Sequence, residues 1–209
     1  ITTRANTVHT GGVAGLDLNG ENMIAGIWDG GLVRENHNLL EDRVLQIDNA
    51  GSISSHATHV SGTMVGGASQ VNGQAKGMAP MAELLAYDFG GDEPEMTSAA
   101  SQGMILSNHS YGIYADNVPL WYIGYYDSNA RNIDRIIYNA PYYLPVIAAG
   151  NDRQSGANSE DGGYDYLTDK AVAKNNIVVA ATFEVLEYED ASDVFMSSFS
   201  SWGPTDDGR

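Results

Sequence analysis

Six short apolar runs punctuate the chain, at 23–29, 43–47, 83–89, 105–110, 144–150 and 177–182. Several are almost continuously apolar, the pattern of strands covered on both faces rather than one. Between them lie stretches with helical spacing at 56–65, 94–103, 121–139 and 168–174. Strands and helices alternating in this way predict an α/β fold, a doubly wound and mostly parallel sheet with helices on both faces. In such sheets ligands bind beyond the carboxyl ends of the strands. That rule alone points to Asp29, to 108–112, and to Gly150 and Asn151.

Asp29 closes the run Ile24-Ala25-Gly26-Ile27-Trp28 and precedes Gly30 and Gly31. A carboxylate at a strand tip can orient a histidine, although an ordinary Asp-Gly turn reads the same way. His56 opens a helical stretch that Ser54 or Ser55 can cap. An imidazole in a first helical turn is held rigidly, and the helix dipole there disfavours its cation, so a nearby carboxylate is needed to stabilise it. His56 and His59, three residues apart, could share a metal ion. No Glu completes an HExxH pattern and the chain has no cysteine, so no metal ligands are assigned. His59 is expected to be a buried structural residue, with Val60, Gly62 and Thr63 as packing positions. Asn151 follows the run ending at Gly150; its amide can donate to a developing oxyanion, and it can equally be a turn residue.

Composition narrows the partners. Acidic residues number 27 against 10 basic ones, a net charge of −17. Such a surface repels phosphate backbones and anionic membranes, so neither nucleic acid nor a membrane is an expected partner. Apolar residues at 43 % over 209 residues suffice for one sizeable α/β domain. No disulfide or thiol chemistry is available without cysteine. Two other enzyme classes fail on their motifs. Ser110 lacks the Gly two residues before it that a nucleophile elbow needs, that position being Asn108. The segment after the first strand does not read GxGxxG, and Asp29 there would repel a pyrophosphate.

Six segments, in order, resemble the subtilase family: 27–31 (Ile-Trp-Asp-Gly-Gly), 55–63 (Ser-His-Ala-Thr-His-Val-Ser-Gly-Thr), 77–80 (Gly-Met-Ala-Pro), 108–112 (Asn-His-Ser-Tyr-Gly), 148–151 (Ala-Ala-Gly-Asn) and 197–205 (Ser-Ser-Phe-Ser-Ser-Trp-Gly-Pro-Thr). The histidine segment is specific by itself, and together the six cover residues 20–209. The resemblance implies a secreted serine endopeptidase acting on polypeptides through an Asp-His-Ser triad, with no organic cofactor. It assigns Asp29 to hold His56 in one tautomer, His56 to act as general base and then acid, and Asn151 to donate to the oxyanion. Ser110, Tyr111 and Gly112 would pair with an extended substrate, Gly150 would admit its close approach, and Tyr111 and Gly112 would flank an apolar first pocket.

The chain departs from the family pattern in places. Gly30 replaces a small hydroxyl residue after the aspartate, and Ala57 replaces a glycine. Asn38 stands where relatives carry an aspartate, which weakens the family's common calcium site. Structural calcium remains the one inorganic cofactor considered, and the acidic stretch 160–165 lacks EF-hand spacing. The family's Gly-Thr-Ser nucleophile segment is absent from the 209 residues, so 1–209 reads as the N-terminal part of the catalytic domain. The serines at 197, 198, 200 and 201 match a structural segment instead. The expected partner is a C-terminal fragment of the same protein carrying the catalytic serine, joined originally through the exposed stretch 206–209. The alternative is a non-catalytic, subtilase-like binding module.

Overall fold

A computed structural model describes residues 2–49, 51–67 and 71–209, which form two compact units, Ile1–Asn108 and His109–Arg209. In the first, β1 (Ile24–Asp29), β2 (Val44–Gln46) and β3 (Glu83–Asp88) make a parallel sheet with β3 between the others. The register runs from Ile24 opposite Glu83 to Asp29 opposite Asp88, so two carboxylates finish side by side at the strand ends. Ile27, Leu40, Val44, Leu84 and Ala86 are buried in one core with Ala57 and Val65. Each fully buried Ile, Leu or Val of this kind contributes roughly 1.5–3 kcal/mol. Trp28 and Tyr87, opposite each other across β1 and β3, stack with ring centroids 4.3 Å apart. Gly26 leaves room for this: a Cβ there would sit 2.5 Å from the Trp28 ring and 2.6 Å from the Met104 sulfur.

Helix α1 (Ser55–Val65) begins where Ser54 accepts a hydrogen bond from the Ala57 amide, which satisfies an otherwise orphaned donor. Its buried stripe is Ala57, Ser61 and Val65, spaced four apart. The buried Ser61 hydroxyl donates to the Ala57 carbonyl at 2.8 Å. Helix α2 (Asp92–Ser101) carries Asp92, Glu93 and Glu95 in its first turn, where the helix dipole favours acids. Strand β4 (Leu106–His109) crosses from one unit's residues to the other's.

In the second unit β5 (Leu144–Ala148) and β6 (Ile177–Val179) pair in parallel, Val146 opposite Ile177. Helix α3 (Ser128–Asn139) buries Ala130, Ile133 and Ile136. The six strands lie within the six apolar runs, but two of the expected helices change. The stretch 121–139 is helical only from Ser128, because Asp127 caps that residue's turn through the Ala130 amide at 2.9 Å. Before it, Leu120–Tyr122 is a single 3-10 turn and Gly124 has φ +78°, which an α-helix does not tolerate. The stretch 168–174 is a 3-10 turn at Asp169–Val172, since Asp169 has φ +54° and Ala173 is extended.

Candidate active site

Asp29 sits at the last position of β1, buried, while the His56 side chain in the first turn of α1 is 57 % exposed. The His56 Nδ1 lies 2.8 and 2.9 Å from the two carboxylate oxygens of Asp29. With Nδ1–H donating to a carboxylate, the neutral imidazole presents Nε2 as an acceptor, the form a general base needs. Nε2 has no partner among the described residues. The Gly30 amide donates to Asp29 Oδ1 at 2.8 Å, so a backbone donor supports the carboxylate that a hydroxyl would otherwise have met.

The turn after Asp29 is braced by residues that sequence reasoning missed. Gly31 donates its amide to Asp88 Oδ2, and the Asp88 amide donates to Asp48 Oδ2 at 2.7 Å. Asp48 in turn accepts from the Gln46 side chain. These acids stand at the ends of neighbouring strands, and nothing in local spacing separates them from the other acids of the chain. Trp28 Nε1 donates to Glu95 Oε2 at 3.0 Å. Burial, with Asp48, Asp92 and Asp88 nearby, pushes the Glu95 carboxyl up in spite of that bond.

His59 is exposed, contrary to expectation. It lies two residues from the buried Ala57, about 200° around the helix, and so off the core stripe. Val60 packs against the core as expected, whereas Gly62 is only half-buried and Thr63 is exposed.

In the second unit, Gly150 and Asn151 follow β5. Gly150 has φ +105°, a conformation available to glycine and strained for other residues. Ser201 holds this turn twice: its amide donates to the Gly150 carbonyl at 2.9 Å, and its hydroxyl accepts from the Asp152 amide at 3.0 Å. Asn151 is exposed, with no partner for its side chain among the described residues. Ser110 and Tyr111 are half-buried and Gly112 is exposed, in extended chain after β4. The Tyr111 hydroxyl lies 3.0 Å from His109 Nδ1, and the Lys170 ammonium lies 5.3 Å from the Tyr111 ring centroid. A Cβ on Gly112 would meet nothing within 4 Å, so that position is open. Asp152, also missed, accepts from the Ala115 amide, and burial pushes its carboxyl up.

Neither buried serine of 197–201 that reaches this turn or its neighbour is presented as a nucleophile. Ser200 Oγ accepts from the Ala181 amide at 2.9 Å, and Ser201 Oγ is committed to Asp152. In the acidic stretch, Asp165 and Asp206 line a cavity of about 450 Å³. Burial first, then Asp206 and Asp161, push the Asp165 carboxyl up. Among the described residues no group of three or more His, Asp or Glu is placed to hold a metal ion. No helix among them is long and apolar enough to cross a membrane.

A sequence profile described as "Subtilase family" matches residues 23–209. The chain is similar to "Serine protease/ABC transporter B family protein tagD" of Dictyostelium discoideum, at 29 % identity over 177 residues, covering 74 % of this chain and 9 % of that protein. Among solved structures it is similar to the Prenylagaramide maturation protease PagA, with a TM-score of 0.63 and 21 % identity over 89 % of this chain and 61 % of that one. It is also similar to a cold adapted subtilisin-like serine proteinase, with a TM-score of 0.56 and 21 % identity over 90 % and 62 %. These likenesses establish the subtilisin-like α/β fold. The chain spans less than two thirds of the length of each of these relatives.

Proposed function

The chain belongs to the subtilase family, and we propose that it supplies two members of the triad of a serine endopeptidase, Asp29 and His56. The observation that carries this reading is the Asp29 carboxylate gripping His56 Nδ1 at 2.8–2.9 Å while Nε2 is left without a partner. A serine hydroxyl brought to Nε2 gives up its proton there as its oxygen bonds to the scissile carbonyl carbon. His56, now a cation stabilised by Asp29, returns that proton to the leaving amine as the C–N bond breaks. Water repeats the sequence and releases the acid product.

The nucleophile in this reading is a serine on a further segment of the same protein, consistent with the commitment of Ser200 and Ser201 to backbone donors. Asn151 is the oxyanion donor, its free side chain and exposure supporting that role. Ser110, Tyr111 and Gly112 receive the extended substrate, with Gly150 allowing close approach. The openness at Gly112 supports this, and an apolar or aromatic residue is the expected occupant of the first pocket. A secreted location belongs to the same reading.

Hydrolysis of quenched-fluorescent peptides by the full-length protein tests it. His56→Ala and Asp29→Asn should each lower kcat by about 10⁴-fold or more with KM little changed. Asn151→Ala should cost about 10²–10³-fold. Turnover by Asp29→Asn within tenfold of the parent would remove Asp29 from the mechanism. Peptide binding without any turnover by the parent protein would establish the binding-module alternative.

A further inference from the structure

The turn 150–153 is tied down at every residue but one. The Gly150 carbonyl accepts from the Ser201 amide, the Asp152 amide donates to Ser201 Oγ, and Asp152 Oδ2 accepts from the Ala115 amide at 3.2 Å. The Arg153 amide donates to the Phe199 carbonyl at 3.3 Å. Asn151 makes no hydrogen bond of its own among the described residues and is exposed, so its neighbours set its place.

The Arg153 side chain adds ties beyond those of the backbone. Its Nε donates to the Ser198 carbonyl at 3.0 Å, and its guanidinium carbon lies 4.4 Å from the centroid of the Trp202 ring. Ser198 and Trp202 flank Phe199 and Ser201 along the chain, so one side chain spans the whole segment that holds the turn. Trp202 is itself fixed. Its Nε1 donates to the Gly163 carbonyl, and its ring stacks on Tyr164 with centroids 5.0 Å apart and planes within 9°. Gly163 also leaves room for the arginine: a Cβ there would sit 3.4 Å from Arg153 Cγ.

No carboxylate accounts for this placement. The chain has 27 acids, yet Arg153 forms no ion pair among the described residues, and its Nη1 is buried without a partner. A guanidinium that forgoes a carboxylate gives up its strongest partner. In exchange it makes a cation–π contact and a charge-assisted hydrogen bond, both with the segment that grips the Asn151 turn.

We infer that Arg153 is a positioning residue: set over Trp202, it clamps 150–153 onto 197–203 and so fixes where the Asn151 side-chain amide points. The effect on turnover rests on the protease reading above, in which that amide meets the oxyanion. The clamp rests on its contacts alone.

Turnover and hydrogen exchange test the two separately. Arg153→Met keeps an unbranched stem over the ring but removes the cation and the Nε donor. In full-length protein with an unchanged circular dichroism spectrum it should lower kcat on a quenched-fluorescent peptide about tenfold with KM little changed, the scale of one cation–π contact and one charge-assisted hydrogen bond. Arg153→Lys, which keeps a cation for the ring, should fall between Arg153→Met and the parent; a lysine no better than methionine overturns the role of the Trp202 contact. In an Asn151→Ala background Arg153→Met should cost less than about twofold, because the group it positions is gone. An equal loss in both backgrounds overturns the positioning role, since a merely structural residue acts in both. Exchange of the Asp152 amide hydrogen, which Ser201 Oγ holds, reads the clamp without turnover. It should quicken about tenfold in Arg153→Met, the same contacts being lost, and unchanged exchange overturns the clamp whatever turnover does. Quickened exchange in a protein that hydrolyses no peptide would leave the clamp standing and remove the protease reading.

Discussion

Replacing Gly150 by alanine tests how the Asn151 turn is held. Gly150 has φ +105°, and an added Cβ would lie 3.0 Å from Ser201 Oγ and 3.4 Å from Ser201 Cβ. The backbone conformation costs a non-glycine residue about 1–3 kcal/mol. The second contribution comes from Ser201, which is fully buried and whose hydroxyl accepts from the Asp152 amide. Pushing that oxygen aside leaves a buried donor unsatisfied, at about 1–3 kcal/mol. The expected total for Gly150→Ala is therefore about 2–6 kcal/mol, read from urea denaturation.

A double-mutant cycle separates the two parts. In a Ser201→Ala background the close oxygen is gone and the hydrogen bond is already lost, so Gly150→Ala should cost only the backbone part. The coupling should then reach about 1–3 kcal/mol, above the ~0.5 kcal/mol within which independent sites add. Additive effects, or a cost below about 1 kcal/mol for Gly150→Ala alone, would refute the account of Ser201 as the brace.

Two further outcomes follow from titratable groups. Burial raises the Glu95 carboxyl, so its charged form weakens the fold above that pKa and the loss is relieved as pH falls through it; Glu95→Gln, which keeps an acceptor for Trp28, should raise the urea midpoint at neutral pH with a gain that fades in acid. The Tyr126 phenol is pushed up to about 12 by burial and by donating to Asp134 at 2.6 Å, and Asp134→Asn should bring its absorbance titration down toward 10. Because the folded value is the raised one, the stability from this bond is whole below the unfolded pKa and is lost as pH rises through about 12. An unchanged Tyr126 titration in Asp134→Asn would contradict the assignment.

The strands were legible because continuous apolar runs need no tertiary information, and every observed strand lies inside its predicted run. Asp29 and His56 were legible for a related reason: one terminates such a run and the other follows Ser54 at a helix start. The helix expected over 121–139 misled because Trp121, Tyr122, Tyr125 and Tyr126 imitate an apolar helical stripe. Trp121 and Tyr125 are instead exposed, their rings 5.8 Å apart, and the Asp127 cap decides where α3 starts. His59 misled because it lies among residues of the core-facing helix, and the sequence gives no direct sign of which stripe meets the sheet. Asp48 and Asp88 left no signal at all, and Ser201 only its place in the structural segment 197–205, without its partner. Their role is to accept backbone amides from residues 40 to 57 positions distant, and distance along the chain conceals such partners.

Those unseen residues suggest how each unit fixes its candidate group. In the first, the residue that matters stands at the tip of β1, and the next two amides are taken by Asp29 itself and by Asp88. In the second, Asn151 stands just beyond β5, and the amide after it is taken by Ser201. Both turns carry a glycine with positive φ, Gly31 at +100° and Gly150 at +105°. An acceptor from a remote segment replaces what local conformational preference does not supply. On the proposed protease reading, substitutions at Asp88 or Ser201 should accordingly act on turnover through the position of Asp29 or Asn151, without touching substrate, and a conservative acceptor at either place should restore more function than alanine.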